Sequence, residues 1–418
     1  MTQTLSNAIP ISVGCPDAAA RRVVARVGLA LFLTMLPVTM MVPVLKELVA
    51  DRFAASSFWT HSFMSINMVG AVLAAPLAGF LADRVGRRKP LLVFALLLNS
   101  GLLWLMLYVQ TLGGLLAIRF LEGAAHILAV SSMMALAGDW AAAGKRGRVM
   151  GWIGSSLIFG TACGAPLGGR IGQITPHLVF QLGAAFALAA ALLAWFGVRD
   201  APARARTAHL RESLSLISRN KSLLIPLAYA FIDRFCVGVI VSSLVLYLAQ
   251  VEAFSPAQRG GLLALFLFPF ALLCYPMGRW SDRIGRAAPM CIGSLAFGIV
   301  FALYGFTPGV WLWVLMLLSG VLSAIMFAPN LALCADLAPP KQRASVYAGF
   351  NMAGSLGFLC GPLIGGVVLA VVTPRAGIAA AYRTAFVVAG LAEVVCALVT
   401  LPFLVRLART AREGRSLS

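Results

Sequence analysis

About twelve long apolar runs, separated by short polar breaks, divide the sequence and leave little freedom of fold. A segment needs roughly 20 mostly apolar residues to cross a bilayer as a helix. Inside lipid the backbone polar groups must bond to one another, so such runs form helices. A β-barrel would show short alternating segments instead, and these are not found. Composition points the same way. Hydrophobic residues make up 61% of the chain and charged residues 11%, too little charge to cover a soluble protein of this length. The expected class is therefore an all-α membrane protein. Its spans are expected at 23–46, 57–82, 90–110, 112–138, 147–171 and 177–198, then at 223–249, 256–280, 289–307, 310–335, 345–371 and 379–405. No cleavable signal peptide is expected. The first apolar run follows Arg21, Arg22 and Arg26, is long enough to span, and lacks a convincing cleavage site.

A formal net charge of +19 suggests a nucleic-acid partner, but the placement of the charges argues against one. With the N-terminus set on the cytoplasmic side, 25 of the 33 basic residues fall in the tails and the loops of that side. Lys46, Arg52, Arg170, Arg259, Arg375 and Arg383 fall on the other side, and Arg119 and Arg234 lie inside spans. This is the positive-inside asymmetry. It places both termini in the cytoplasm and the cations against anionic lipid. Seven of the eight cysteines lie in or beside spans with no metal-ligand spacing, so they read as packing residues rather than a disulfide framework or a metal site.

The chain also repeats itself. Gly79-Phe80-Leu81-Ala82-Asp83-Arg84-Val85-Gly86-Arg87 recurs 199 residues later as Gly278-Arg279-Trp280-Ser281-Asp282-Arg283-Ile284-Gly285-Arg286. At a shift of 197, Asp139 and Arg146 match Asp336 and Arg343, and Gly160, Gly164, Gly168 and Gly169 match Gly357, Gly361, Gly365 and Gly366. Two matches at nearly one offset imply duplicated bundles. The division is a tail at 1–22, a six-helix bundle at 23–198, a linker at 199–222, a second bundle at 223–405 and a basic tail at 406–418. In the linker Leu210, Leu214 and Ile217 recur at helical spacing beside Arg211, Arg219 and Lys221. Either an interfacial amphipathic helix or a solvated linker accounts for that pattern.

With these motifs the sequence resembles the major facilitator superfamily, and within it the twelve-helix drug:proton antiporters. The stretch from Gly79 to Lys89, with Arg88 included, is similar to that family's loop between helices 2 and 3. Glycine permits the tight turn. Asp83 can meet the positive end of another helix, worth about 0.3–1 kcal/mol. The expectation is a latch from Asp83 to the start of helix 11, near Ser345, and a matching one from Asp282 to the start of helix 5. The glycines of helix 5 resemble the family's antiporter motif, although the proline comes one residue late, at Pro166 after Ala165. Helix 11 keeps Pro362 directly after Gly361. Small residues allow close helix packing and proline bends a helix. What the resemblance implies is two pseudosymmetric six-helix bundles, alternating access, and export driven by protons.

Ionisable residues inside spans are costly and need a partner or a cavity. Arg119 and Gly123 in helix 4 resemble the family's Arg-x-x-x-Gly motif. Glu122 and His126 follow on the same helical face, and histidine titrates near neutral pH, so the three form a candidate proton relay. Asp233 and Arg234 are adjacent in helix 7, and Glu393 stands isolated in helix 12, where a carboxyl at low dielectric can carry a proton. Helix 12 is often peripheral, so Glu393 is alternatively turned to lipid or to a neighbour. Helix 1 carries no acid between Val27 and Leu45, so coupling would fall to helices 4, 7 or 12. Cavity candidates are Arg119, Arg234, Tyr229, Asn67 and Asn351, with Asn99, Asn330 and Trp152 as further polar or aromatic positions. A cavity with few acids suits hydrophobic or amphipathic cargo. No nucleotide loop or zinc spacing is present, so neither an enzyme nor an ATP-driven pump is expected. The expected protein is a multi-pass, monomeric transporter of a bacterial-type inner membrane, using a proton gradient and no cofactor. A symporter or exporter of a sugar or other metabolite, or a scaffold without transport, remains the alternative from sequence.

Overall fold

A computed structural model describes residues 16–85, 87–141, 146–200, 220–338 and 343–416, with side chains described at 20–75, 87–141, 149–200, 220–338 and 346–407. Among these residues twelve helical spans follow one another, and ten of them have the length and apolarity to cross a membrane. α1 runs Pro16–Met40 and continues through a 3₁₀ turn at Val42–Val44 and a π-helical turn at Lys46–Asp51. Then come α2 (Ser57–Val85), α3 (Arg88–Leu105), α4 (Leu112–Trp140), α5 (Arg146–Ile174) and α6 (Leu178–Gly197). The second half holds α7 (Lys221–Gln250, π-helical at Ile240–Leu244), α8 (Pro256–Ile284) and α9 (Ala287–Leu303). It closes with α10 (Gly309–Leu337), α11 (Arg343–Ala376) and α12 (Ile378–Ser416). The expected spans match these in order, but α12 carries on as helix through the stretch read as a tail. Large side chains such as Phe196 and Val310, each 80% exposed, form the apolar exterior that lipid covers.

Local signals start and stop these helices. Ser255 caps α8, accepting from the Gln258 N–H at 3.3 Å while the Gln258 side chain accepts from the Ser255 N–H at 2.8 Å. Asp200, beyond α6, accepts from the N–H groups of Arg88 and Lys89 and so caps α3. In the loop after α8, Gly285 has φ +96°, a left-handed conformation that glycine adopts without strain.

With twelve spans in sequence, the start of α1 and the end of α12 lie on one face, the tail face; the other is the far face. The basic residues that the asymmetry left on the far face are largely spent on specific partners. Arg52 donates to the carbonyls of Met106, Leu107 and Val109, closing the end of α3. Its burial there lowers its pKa from the ordinary arginine range. Lys46 pairs with Asp51 at 2.8 Å, Arg375 donates to the Val371 carbonyl, and Arg383 to that of Gly305.

The halves meet along α5 with α8 and α2 with α11. Glycines set the approach. A Cβ at Gly160, Gly164 or Gly168 would strike α1, at Phe32, Leu36 and Met40, and one at Gly357 or Gly361 would strike α7, at Phe231 and Phe235. Gly365 packs on both Ser243 of α7 and His61 of α2. Gly169 instead faces Pro256 and Gly260 of the other half, and Gly366 faces Phe58 and His61. The late proline follows the same division: Pro166 lies against Gly260 across the interface, whereas Pro362 packs on Gly238 inside its own half. One residue of offset turns a helix by about 100°.

Candidate functional site

A cavity of about 130 Å³ lies between the halves at mid-depth. Its wall is mostly apolar, from Val38, Met64, Val237, Leu263, Phe266 and Phe358 among others, and its charged residues are Arg119, Asp233 and Arg234. Asn67 lines it as well.

Behind the N-terminal wall is a closed polar network. Arg119 and Glu122 are both buried and pair at 2.6 Å across one helical turn of α4. Asn67 of α2 donates to Glu122 Oε2 at 2.5 Å, and Asn99 of α3 donates to Oε1 at 3.0 Å. The Arg119 guanidinium also lies 4.9 Å from the Phe63 ring. Its Nε is buried without a hydrogen-bond partner. His126, half-buried one turn on, has Glu122 and Arg119 as its charged neighbours. Gly123 makes the network possible, because any Cβ there would strike the backbone of Asn67.

In the other half Asp233 is buried and its carboxylate stands 3.9 Å from the Arg234 guanidinium, too far for a hydrogen bond. Arg234 lies 5.2 Å from the Phe327 ring. Glu393, read from sequence as isolated or lipid-facing, is fully buried inside the C-terminal bundle. It accepts a short hydrogen bond from Ser294 of α9 and one from Cys236 of α7 at 3.7 Å. Tyr229 is not on the cavity wall: its hydroxyl accepts from Thr400 and its ring packs with Ile225, Met290 and Leu404. Asn351 is exposed and also off the wall, and Asn330 is buried, donating to the Pro226 carbonyl. Trp152 is exposed on the tail-face half of α5.

In both repeated loops an arginine holds the aspartate at the end of the fourth helix of its half, and the side chains at the start of α5, where Asp282 is expected to latch, lie outside the described residues. Asp282 pairs with Arg286 at 2.5 Å, and Arg286 also holds Asp336 at 3.1 Å. In the first half Arg88 holds Asp139 at 2.7 Å in the same fashion. Arg286 loses solvation on burial, but its bonds to Asp336 and Asp282 leave its pKa above the ordinary value. A carboxylate one turn from a guanidinium on a helix pairs with it readily. Arg87 and Arg283 are exposed. The side chains of Asp83, Arg84, Arg146 and Arg343, the surroundings of Gly79 in α2, Gly86 in the first loop, and most of the 199–222 linker lie outside the described residues.

Sequence reasoning missed the far-face seal. Glu47, on the π-helical turn of α1, makes a two-pronged ion pair with Arg259 of α8, whose guanidinium is buried. His61 of α2 meets Ser243 of α7 at 3.0 Å, and Ser65 donates to the Leu359 carbonyl of α11 at 2.9 Å. All three cross between the halves, with partners 182 to 294 residues apart. The only hint in the sequence was an arginine on the face poor in basic residues. At the opposite end of α5, a Cβ at Gly151 or Gly154 would meet nothing within 4 Å. Among the described residues, the three cross-half contacts thus seal the halves at the far face.

This arrangement has counterparts of known kind. The class B tetracycline resistance protein of Escherichia coli is 26% identical over 314 residues, 70% of this chain and 76% of that protein. The 3-(3-hydroxy-phenyl)propionate transporter of Escherichia coli K12 is 25% identical over 364 residues, covering 82% and 86%. A crystal structure of a bacterial homolog to the human lysosomal transporter Spinster, in an inward-facing and unoccupied conformation, superposes with a TM-score of 0.78 at 15% identity, covering 95% of this chain and 98% of that one. At such identity the superposition speaks for the fold alone. The family profile of the Major Facilitator Superfamily matches residues 27–257 and again 227–417, which together cover most of the chain. Two six-helix bundles, a cavity between them and a family profile that matches most of the chain lead to one conclusion: the chain belongs to the Major Facilitator Superfamily, and is a multi-pass membrane transporter of small molecules.

Proposed function

We propose that this transporter is a proton-coupled antiporter that exports small hydrophobic or amphipathic compounds by alternating access. It acts as a monomer without a cofactor, in a bacterial-type inner membrane with the tail face in the cytoplasm. On that reading the conformation described is closed toward the outside by the far-face contacts. The observation that carries the proposal is the set of buried carboxylates around a largely apolar cross-half cavity: Asp233 on its wall, and Glu122 one side chain behind it through Asn67. Glu393 is a third buried acid, one helical partner away from Asp233 through Cys236. The tetracycline resistance relative supports export of a drug-like cargo.

A proton arriving at Glu122 would remove the charge that neutralises Arg119. Breaking one side of a buried ion pair costs about 3–5 kcal/mol. Swinging a two-state equilibrium from 1:99 to 99:1 takes about 5.5 kcal/mol. A cost of that order is large enough to bias access toward a state in which Arg119 regains a partner or water. The test uses purified protein in liposomes with an imposed pH gradient and a panel of dyes and metabolites, comparing wild type with Asp233→Asn. Cargo should move against the proton flow in wild type and stall in the variant. Antiport fails if no compound responds to the gradient, or if cargo travels with the proton.

Two relatives of nearly equal identity bear names with different cargoes, tetracycline and an aromatic acid. Identity at that level transfers the transport class, and the cargo has to be read from the cavity itself.

A further inference from the structure

The charge that the cavity presents is positive. Of its three charged residues, Asp233 is withdrawn, with its side chain 8% exposed, while the adjacent Arg234 is 37% exposed. At 3.9 Å the two are near enough to attract but not to hydrogen-bond. Among the described residues Arg234 makes no hydrogen bond, so its five N–H donors are unspent. Its one shaped contact is with the Phe327 ring, which in turn meets Phe270 edge to face at 5.4 Å. Aromatic packing of this kind holds the planar guanidinium in place while leaving its donor edge free. On the facing half, Arg119 adds a second cation to the same wall. It is committed to Glu122 through Nη1, yet it keeps a buried Nε without a partner.

A withdrawn carboxylate and a presented, unspent guanidinium repel a cationic cargo and match a carboxylate, whose two oxygens fit the guanidinium fork. The remaining wall is apolar and aromatic. We propose that Arg234 is the cargo-recognising residue and that the cargo is an amphipathic organic monoanion, an aromatic or aliphatic body bearing one carboxylate or similar group. The proposal rests on the reading that this cavity is the cargo site, and it stands whichever way the proton travels.

Three probes of one shape test it: 2-naphthoate, neutral 2-naphthamide and cationic 2-naphthylmethylammonium. Their binding to the purified full-length protein is measured by calorimetry at pH 7.5, with wild type, Arg234→Gln and Arg234→Lys. The naphthoate should bind wild type at least tenfold more tightly than the amide, with the ammonium weakest. Arg234→Gln should abolish the difference between acid and amide, and Arg234→Lys should keep part of it. Thermal unfolding of each variant verifies that it is folded. The proposal is overturned if the amide or ammonium binds as tightly as the acid, if Arg234→Gln keeps the preference, or if none of the three binds. Liposomes then separate this result from the transport reading. Naphthoate bound through Arg234 but moved without response to a pH gradient would sink proton coupling and leave the anion site standing. Gradient-driven flux of the amide, with no preference for the acid, would do the reverse.

Discussion

Replacing Glu47 by Gln should open the far face. Arg259 has 2% of its side chain exposed, and Glu47 is its charged partner across the halves. Losing that partner leaves a buried charge without compensation, at a cost of about 3–5 kcal/mol. Glutamine keeps one acceptor oxygen and Glu47 is 22% exposed, so the lower end, about 3 kcal/mol, is the figure to use. The cost falls on the far-closed state alone, because parting the halves lets water reach Arg259. At 1.4 kcal/mol per factor of ten, the equilibrium should move toward the far-open state by about 150-fold. Spin labels at Thr175 and Val310, on far-face ends of opposite halves in a background with the native cysteines replaced, report this by electron-electron dipolar spectroscopy. The distance distribution should pass from mostly short to mostly long. A control separates the lost pair from general damage: Glu47→Gln with Arg259→Met removes both charges and should recover most of the short population. If Glu47→Gln alone keeps the wild-type distribution, the ion pair is not what holds the far face shut.

Other outcomes follow from the same packing. Gly357→Ala drives a methyl into the backbone of Phe231 and should lower thermal stability in detergent by about 1–3 kcal/mol, whereas Gly154→Ala, which meets nothing within 4 Å, should not lower it. Glu393→Gln keeps an acceptor for Ser294 and should hold wild-type stability while losing gradient-driven flux; Glu393→Leu strands Ser294 and Cys236 and should cost about 1–3 kcal/mol by thermal unfolding. Arg286→Gln should change stability by less than about 1 kcal/mol, since Asp282 and Asp336 are both more than half exposed; a larger loss would show that this loop carries weight in the bundle itself.

The order of the twelve helices was legible because a span announces itself by length and apolarity, and because the repeat at offsets of 197 and 199 fixed how the halves correspond. Helix ends were less legible. Lys46, Glu47 and Asp51 look like loop charges, yet they ride on a π-helical continuation of α1 because each finds a partner there. In the site, Arg119 and Glu122 were readable from spacing, since residues three apart on a helix face the same way. The partners of Glu122 on α2 and α3 were not, because a local pattern carries no information on which helices become neighbours. Glu393 read as solitary for the same reason: serine and cysteine are unremarkable inside a span until a fold brings Ser294 and Cys236 to one carboxyl. Tyr229 had the chemistry of a cavity residue, but one turn of α7 directs it into the packing with Thr400 instead.

The glycine stripes and the polar networks together say where the molecule bends. Gly160, Gly164 and Gly168 bind α5 to α1, and Gly357 and Gly361 bind α11 to α7, so each of these helices moves with its own half. Glu122 and Glu393 are likewise held by donors of their own halves. What is left to move is the contact between halves, at Gly169, Gly366, Glu47–Arg259, His61–Ser243 and Ser65–Leu359. α2 takes part in both sets. It holds Glu122 through Asn67, and two residues earlier it reaches the other half through Ser65, with His61 a turn further on. A change in the charge on Glu122 that lets Asn67 go would therefore be felt first by the helix that fastens the two halves, with no signal needed through the packed interior of either.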